Sequence, residues 1–171
     1  PDQNGQGSMG VTYTFGSQAV DLRVEKKSGK VIVDRYVSVF DVGQVVNPLQ
    51  IRGSVLGGTT MSIGAALYEE LVFDEKGRIT NPQFFKYHIP TYKEVPEQII
   101  EFIETPDPIG PFGARGIGEH SVIGAAPAIL NAIYNATGID LYEIPASPDK
   151  LKKALAAKLE SPLHTAAGEK E

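Results

Sequence analysis

The chain has 171 residues, 42% of them apolar and 22% charged, with a net charge of −5, which fits one ordinary globular domain and excludes a disordered or fibrous chain. The acidic balance and the lack of clustered Lys and Arg exclude a general nucleic-acid binder. Cysteine is absent, so disulfides, thiolate zinc sites, iron–sulfur ligation and cysteine nucleophiles are all excluded within this chain.

Residues 1–10, rich in Gly, Gln, Asn and Asp, read as a flexible lead-in. From Val11 to Glu25, Val20, Leu22 and Val24 alternate with Asp21, Arg23 and Glu25, the period of a half-buried strand. Ser28-Gly29 marks a turn, and the β-branched run from Val31 through Asp41 to Val42 completes an antiparallel hairpin. Asn47-Pro48 closes that strand and announces a helix from Leu49 to Glu70, with Ile51, Val55, Ile63 and Leu67 at helical spacing. Gly53, Gly57, Gly58 and Gly64 interrupt it. At about 1 kcal/mol each relative to Ala, such glycines are tolerable where another backbone or a ligand comes close. Both readings stand at this point.

Leu71–Thr80 reads as a second hairpin turning at Gly77. Residues Asn81 to Pro96 mix Phe84, Phe85, Tyr87 and Tyr92 with prolines, so the expectation is an extended segment ordered by ring packing. A short strand follows over Gln98–Glu104. Pro106 to Glu119 holds three prolines and four glycines and is a shaped loop. Val122, Ala126, Ile129, Ile133 and Ala136 then define a helix ending at Gly138, a natural left-handed stop. Pro127 implies that this helix starts near Ala126 or bends there. The last helix covers Asp149–Lys158 with Leu151, Ala154 and Leu155 inward, and 159–171 reads as a disordered tail. No apolar run nears the roughly 20 residues of a transmembrane helix, and no signal pattern opens the chain. The default location is cytoplasmic, with the periplasm left open. Starting at Pro1 without Met, the chain suggests a processed or partial protein. His88, His120 and His164 are too widely spaced for a local metal motif.

The most informative segment is Gly113-Ala114-Arg115-Gly116-Ile117-Gly118-Glu119-His120-Ser121, a glycine-rich loop leading into a helix. Such a loop presents backbone N–H groups and a positive dipole end. Glu119 occupies that place. On residue chemistry alone it offsets the helix N-terminus, an interaction worth about 0.3–1 kcal/mol, or it serves a site. The segment lacks GxGxxG spacing and a Walker lysine, which argues against a nucleotide-phosphate loop.

Four motifs in order carry a family resemblance. Phe40-Asp41-Val42-Gly43 through Asn47-Pro48 resembles the "DVG…NP" signature of molybdenum hydroxylase large subunits. Gly57-Gly58, Gly64-Ala65-Ala66-Leu67 and Glu69-Glu70 resemble their glycine-rich helix. Tyr87-His88-Ile89-Pro90-Thr91 is similar to their "Y.IPT" element, and Gly116-Ile117-Gly118-Glu119 to the "GVGE" loop carrying the active-site glutamate. Ala128 to Gly138 is similar to the family's closing helix. The chain is thereby identified as similar to the C-terminal part of the molybdenum-cofactor-binding subunit of the xanthine dehydrogenase/aldehyde oxidoreductase family.

The resemblance implies an α+β fold, with antiparallel hairpins packed on a Gly-rich helix and a C-terminal helix, forming part of a molybdopterin-binding domain over 11–158. It implies oxidation of an aldehyde or N-heterocycle carbon with water-derived oxygen, Glu119 acting as base toward the molybdenum hydroxide. The cofactor, a molybdopterin held jointly with sequence outside this chain, binds molybdenum through the pterin, so no protein metal ligand is expected. Gly53, Ser54, Gly57, Arg115, Gly116 and Gly118 are the implied cofactor contacts. Gly116 and Gly118 clear space beside Glu119. Arg115 contacts a pterin phosphate or holds the loop; His120 tunes Glu119, orients substrate or is a plain loop histidine. The implied partners are the remaining molybdenum-subunit sequence, iron–sulfur and FAD modules on other chains or segments, and a small-molecule substrate. The isolated chain is expected to be inactive. Two departures stand out: Gly53-Ser54 replaces a family "GQ" pair, and Met61-Ser62 a later "QG". They favour the alternative of a non-catalytic binding or assembly module that kept the fold.

Overall fold

The computed structural model describes residues 3–5 and 12–160, the side chain of residue 160 excepted. The predicted tail therefore lies outside the described residues from 161 onward, as does most of the lead-in.

The hairpin forms as expected, from β1 (Phe15–Glu25) and β2 (Lys30–Asp41), paired antiparallel. Gly29 turns the chain at φ 76°, a left-handed conformation open to glycine. Gln18, Val20, Leu22 and Val24 of β1 point inward while their neighbours are exposed, the period-2 pattern of a strand with one packed face. A register shift at Asp21/Leu22 accommodates one extra residue of β2.

Helix α1 (Pro48–Leu67) starts where Asn47-Pro48 predicts. The Asn47 side chain accepts a hydrogen bond from the Gln50 N–H at 3.1 Å, and Pro48 sits at the first helical position, where its missing N–H costs nothing. The helix ends at Leu67, three residues before the expected Glu70, because Tyr68 leaves the helical region while its N–H and that of Glu69 both bond to the Gly64 carbonyl. The chain returns through β3 (Glu97–Ile103), which pairs parallel to β2 and completes a sheet of order β1-β2-β3. β2 is thus central, and α1 lies within the crossover that a parallel pair requires.

In the connecting segment one expectation holds and one is corrected. The hairpin at 71–80 forms in short form around Gly77, through an antiparallel bridge of Phe73 with Ile79 and hydrogen bonds from the Thr80 N–H to the Val72 carbonyl and from the Asp74 N–H to the Arg78 carbonyl; the Asp74 carboxylate braces it by accepting from the Lys76 and Arg78 N–H groups and the Arg78 guanidinium. The aromatics of 81–96 are not a packed ring cluster: Phe84 and Phe85 are each 82% exposed and Tyr92 95%. Local turns and carboxylate contacts order this stretch instead, with Tyr87 Oη donating to Glu69 and Glu94 accepting from Thr91.

Helix α2 (His120–Thr137) runs through Pro127, so of the two options the proline left, a start near Ala126 is set aside: the helix begins six residues before Ala126. Here the helix has help from its neighbour. The Ala126 N–H donates to Ser62 Oγ of α1 at 3.0 Å, so the donor next to the proline ring is satisfied across the helix pair. Gly138 ends α2 at φ 65° as expected. Helix α3 (Pro148–Glu160) carries Leu151 inward with Ala154 and Leu155 beside the core, and continues two residues beyond the expected Lys158.

α1 and α2 pack against each other, and α2 lies on β1. The main core joins Tyr36, Ile63, Leu67, Ile129, Ile133 and Leu151; a second cluster of Phe40, Val42, Val55 and Ile100 lies toward the Glu119 loop, where Ile117 joins it.

Candidate active site

The loop from Pro106 to Glu119 is built by hydrogen bonds, not by regular structure. Asp107 Oδ1 accepts the N–H groups of Ile109 and Gly110 at 2.9 and 2.8 Å, and its own N–H donates to the Gly113 carbonyl at 2.9 Å. A single 3-10 turn over Pro111–Gly113 includes Phe112 at φ 56°, a left-handed conformation that a bulky residue rarely takes. The loop then crosses the end of β2. Gly43 and Ala114 form a bridge, Gln44 N–H donates to Gly113 and Arg115 N–H to Val42. Gly43 stands at φ 66°, and a Cβ there would collide with the Gly113 carbonyl. Close backbone approach explains that glycine.

Arg115 turns inward. Its guanidinium lies 3.4 Å from Asp41 and 3.3 Å from Asp107, and it donates to the Tyr13 carbonyl at 3.2 Å. Its side chain is only 11% exposed. Burial alone pushes the Asp41 carboxyl up, but hydrogen bonds from Gly43 and Thr105 together with Arg115 outweigh it and hold the group below its ordinary value. Asp107 is held down first by the Gly110 and Ile109 N–H groups and then by Arg115. Of the two roles open to Arg115 in the sequence, these contacts describe loop holding. Asp41 and Asp107 complete the clamp, and sequence reasoning had not singled them out as functional; Asp41 was legible only as part of a signature.

Beyond the clamp the chain is open. Gly116 and Gly118 are exposed, and a Cβ on either would meet nothing within 4 Å. Glu119 is the N-cap of α2 at φ −101°, ψ 19°, exposed, and its side chain makes no capping hydrogen bond. His120 is half-buried at the first turn, and its Nδ1 is buried with no hydrogen-bond partner among the described residues.

The four glycines of α1 divide into two kinds. A Cβ on Gly58 would strike Ser121 and Val122 of α2, and one on Gly64 would strike Glu69; these two serve packing. Gly53 and Gly57 have nothing within 4 Å, and with exposed Ser54 they share an open face one turn apart. Ser54, Gln50, Asn47 and Gln44 line a cleft of about 280 Å³ together with Ala114, Arg115 and Ile117 of the loop. On the other side of the loop, Thr14, Gln18, His120, Ile123 and Asn131 line a cleft of about 470 Å³. The structure therefore brings Ser54 together with the Arg115 loop, and places His120 in a separate concavity. The Met61-Ser62 departure splits likewise: Ser62 is buried on Ala126, while Met61 is 56% exposed.

The molybdopterin cofactor-binding domain family matches residues 1–96, more than half of the chain. This chain belongs to that family. The molybdopterin-binding domain is 39% identical over 140 residues to the aldehyde oxidoreductase molybdenum-binding subunit PaoC of Escherichia coli K12, covering 81% of this chain and 19% of that protein. It is 38% identical over 138 residues to the putative xanthine dehydrogenase molybdenum-binding subunit XdhA of the same strain, covering 80% and 18%. Among solved structures, the aldehyde oxidoreductase from Desulfovibrio gigas superimposes with a TM-score of 0.77 at 32% identity, over 84% of this domain and 15% of that chain. The domain thus spans about a fifth of the length of the curated relatives it matches. The α+β architecture and the molybdenum hydroxylase resemblance are both upheld by these matches. Among the described residues no helix is long and apolar enough to cross a membrane, and no cluster of His, Asp and Glu is fit to hold a metal ion.

Proposed function

We propose that this domain forms one wall of a molybdenum hydroxylase active site, with Glu119 as the catalytic base. One observation carries the reading: an exposed carboxylate without a side-chain hydrogen bond stands at the head of α2, beside two glycines that leave open space. A carboxylate spent on capping its own helix would be bonded to the first-turn N–H groups; this one is available to a substrate.

The residues present fit one side of a molybdopterin. The open face at Gly53 and Gly57 admits a flat group close to the backbone, and the Ser54 hydroxyl with the Gln50 and Gln44 amides offers neutral donors and acceptors to its nitrogen- and oxygen-rich rim. Ser54 reaches less far than the glutamine usual in the family. Arg115 is committed to Asp41 and Asp107, so the phosphate end of the cofactor falls to sequence outside this chain. When bound, the cofactor supplies the two-electron oxidant and an activated oxygen derived from water. Glu119, free of side-chain hydrogen bonds, would be the group that takes up a proton beside that oxygen and holds it on its carboxylate. The Arg115 clamp anchors the loop before Gly116 and α2 anchors the chain after Glu119, so only a short turn carries the carboxylate between two fixed ends. His120 faces the separate, larger cleft and takes no step in this reading.

The substrate class is an aldehyde or an electron-poor N-heterocycle, and electrons pass to iron–sulfur and flavin modules carried elsewhere. In the complete protein, Glu119→Gln is expected to lower turnover at least about 100-fold with molybdenum and pterin content unchanged. Turnover at the wild-type rate would exclude the base assignment. The alternative of a non-catalytic assembly module rests on Ser54 and Met61; a complete protein purified intact but devoid of molybdenum would establish it.

A further inference from the structure

The turn that carries Glu119 is held from outside by two side chains at the start of β1. Strand alternation places Thr14, Gln18, Val20, Leu22 and Val24 on one side of the chain. Val20, Leu22 and Val24 pack against the core, while Gln18 and Thr14 continue the same face as polar residues next to the Glu119 loop. Gln18 Nε2 donates to the Ser121 carbonyl at 3.0 Å, and Thr14 Oγ1 donates to the Gly116 carbonyl at 2.6 Å. Gly116 and Ser121 flank Glu119 on its two sides. Among the described residues, no other side-chain donor is recorded on a carbonyl of this turn.

The two contacts are seated by their surroundings. Gly124 of α2 leaves room for the Gln18 amide, since a Cβ there would strike Gln18 Oε1. Gly16, between Thr14 and Gln18, lets the strand lie against the Phe40 ring for the same reason. The need for such pins follows from Gly116 and Gly118, which give the turn more backbone freedom than any other residues would. Loss of that freedom must come from contacts, and the Glu119 side chain supplies none.

The geometry points to Thr14 and Gln18 as positioning residues: together they fix the backbone on both sides of Glu119 and so set where its carboxylate stands. The inference rests on the reading of Glu119 as the base. A base displaced by about 1 Å loses on the order of 100-fold in rate while substrate binding is little affected, so the effect falls on kcat.

Thr14→Val and Gln18→Met keep the size of each side chain and remove the donor; Thr14→Ser keeps the hydroxyl. In the complete, molybdenum-loaded protein, T14V and Q18M are expected to lower kcat about 10- to 100-fold, with KM within about threefold and metal content unchanged, and T14S to restore most of the rate. Amide hydrogen exchange gives a readout independent of activity: across 116–122 it should accelerate about three- to tenfold in T14V and Q18M, and remain unchanged at buried Ile63. Unchanged exchange across the turn in both variants overturns the proposal. Accelerated exchange with wild-type kcat overturns the positioning role, and acceleration extending to Ile63 marks a general loss of stability and overturns it too. Glu119→Gln measured alongside separates the two readings. Wild-type turnover in E119Q refutes the base, whereas the exchange result decides whether Thr14 and Gln18 hold the turn.

Discussion

Removing the Ser62 hydroxyl tests how α2 tolerates a proline at its eighth position. Ser62 is 2% exposed, and its Oγ accepts the Ala126 N–H at 3.0 Å. In Ser62→Ala the acceptor disappears while the N–H stays part-buried. The expected loss is about 1–2 kcal/mol, the cost of one hydrogen bond plus incomplete resolvation of its donor. The Pro127 ring crowds the carbonyl four residues back and removes one ladder bond. In Pro127→Ala the helix backbone is free of the ring's crowding and can bring the Val122 carbonyl onto the Ala126 N–H, so Ser62→Ala should then cost less than about 0.5 kcal/mol. The double-mutant cycle is therefore expected to show a coupling of about 1 kcal/mol. Equilibrium urea unfolding of the four proteins measures it, and exchange of the Ala126 amide reports the same bond locally. Equal costs of Ser62→Ala in both backgrounds would refute the idea that Ser62 compensates for the proline.

Other outcomes follow from the same structure. Gly57→Ala should leave thermal stability unchanged or raise it by up to about 1 kcal/mol, because a Cβ there meets nothing; molybdenum retained by the complete protein should nevertheless fall if this face cradles the cofactor. Gly58→Ala should destabilise, since its methyl strikes Ser121, and a circular-dichroism melt distinguishes the two. Arg115→Gln should loosen the loop and flatten the acid limb of stability. The sign follows from Asp41 and Asp107, whose folded pKa values lie below the ordinary 3.8: their stabilisation is present above that value and is lost as pH falls through the folded values. Unfolding followed from pH 5 down to about pH 2 should therefore depend less on pH in the variant; an unchanged slope would show that the N–H bonds alone hold these carboxylates. Phe112→Gly relieves a left-handed residue and should stabilise the chain by about 1 kcal/mol, read as a higher Tm.

Local chemistry made much of this domain legible in advance. The hairpin was readable from alternation across Val20, Leu22 and Val24, the start of α1 from Asn47-Pro48, and the end of α2 from Gly138, because each rests on interactions within a few residues of chain. The motif order alone carried the family, and with it the place of Glu119. Wherever long-range partners decide, the sequence was silent or misleading. Pro127 left a late start or a bend in α2 open because Ser62, which takes the neighbouring Ala126 N–H, lies 64 residues from Ala126 along the chain. The aromatics of 81–96 suggested ring packing, but which surface a ring meets is set by tertiary placement, and here they stand exposed. β3 showed the period of a strand without its parallel direction, which depends on the crossover.

The glycines of α1 mark the same division within the site. Composition identified four residues lacking side chains and left both packing and cofactor approach open; only the fold, by setting α2 against Gly58 and Glu69 against Gly64 while leaving Gly53 and Gly57 uncovered, separated them. Arg115 shows it for charge, since a guanidinium pairs with whichever carboxylates the fold brings near, and those proved to be Asp41 and Asp107. The sequence by itself determined most local elements, the family and the carboxylate proposed as the base. The tertiary structure decided what each of those side chains faces, because a contact belongs to two segments whose separation along the chain says nothing about their distance in space.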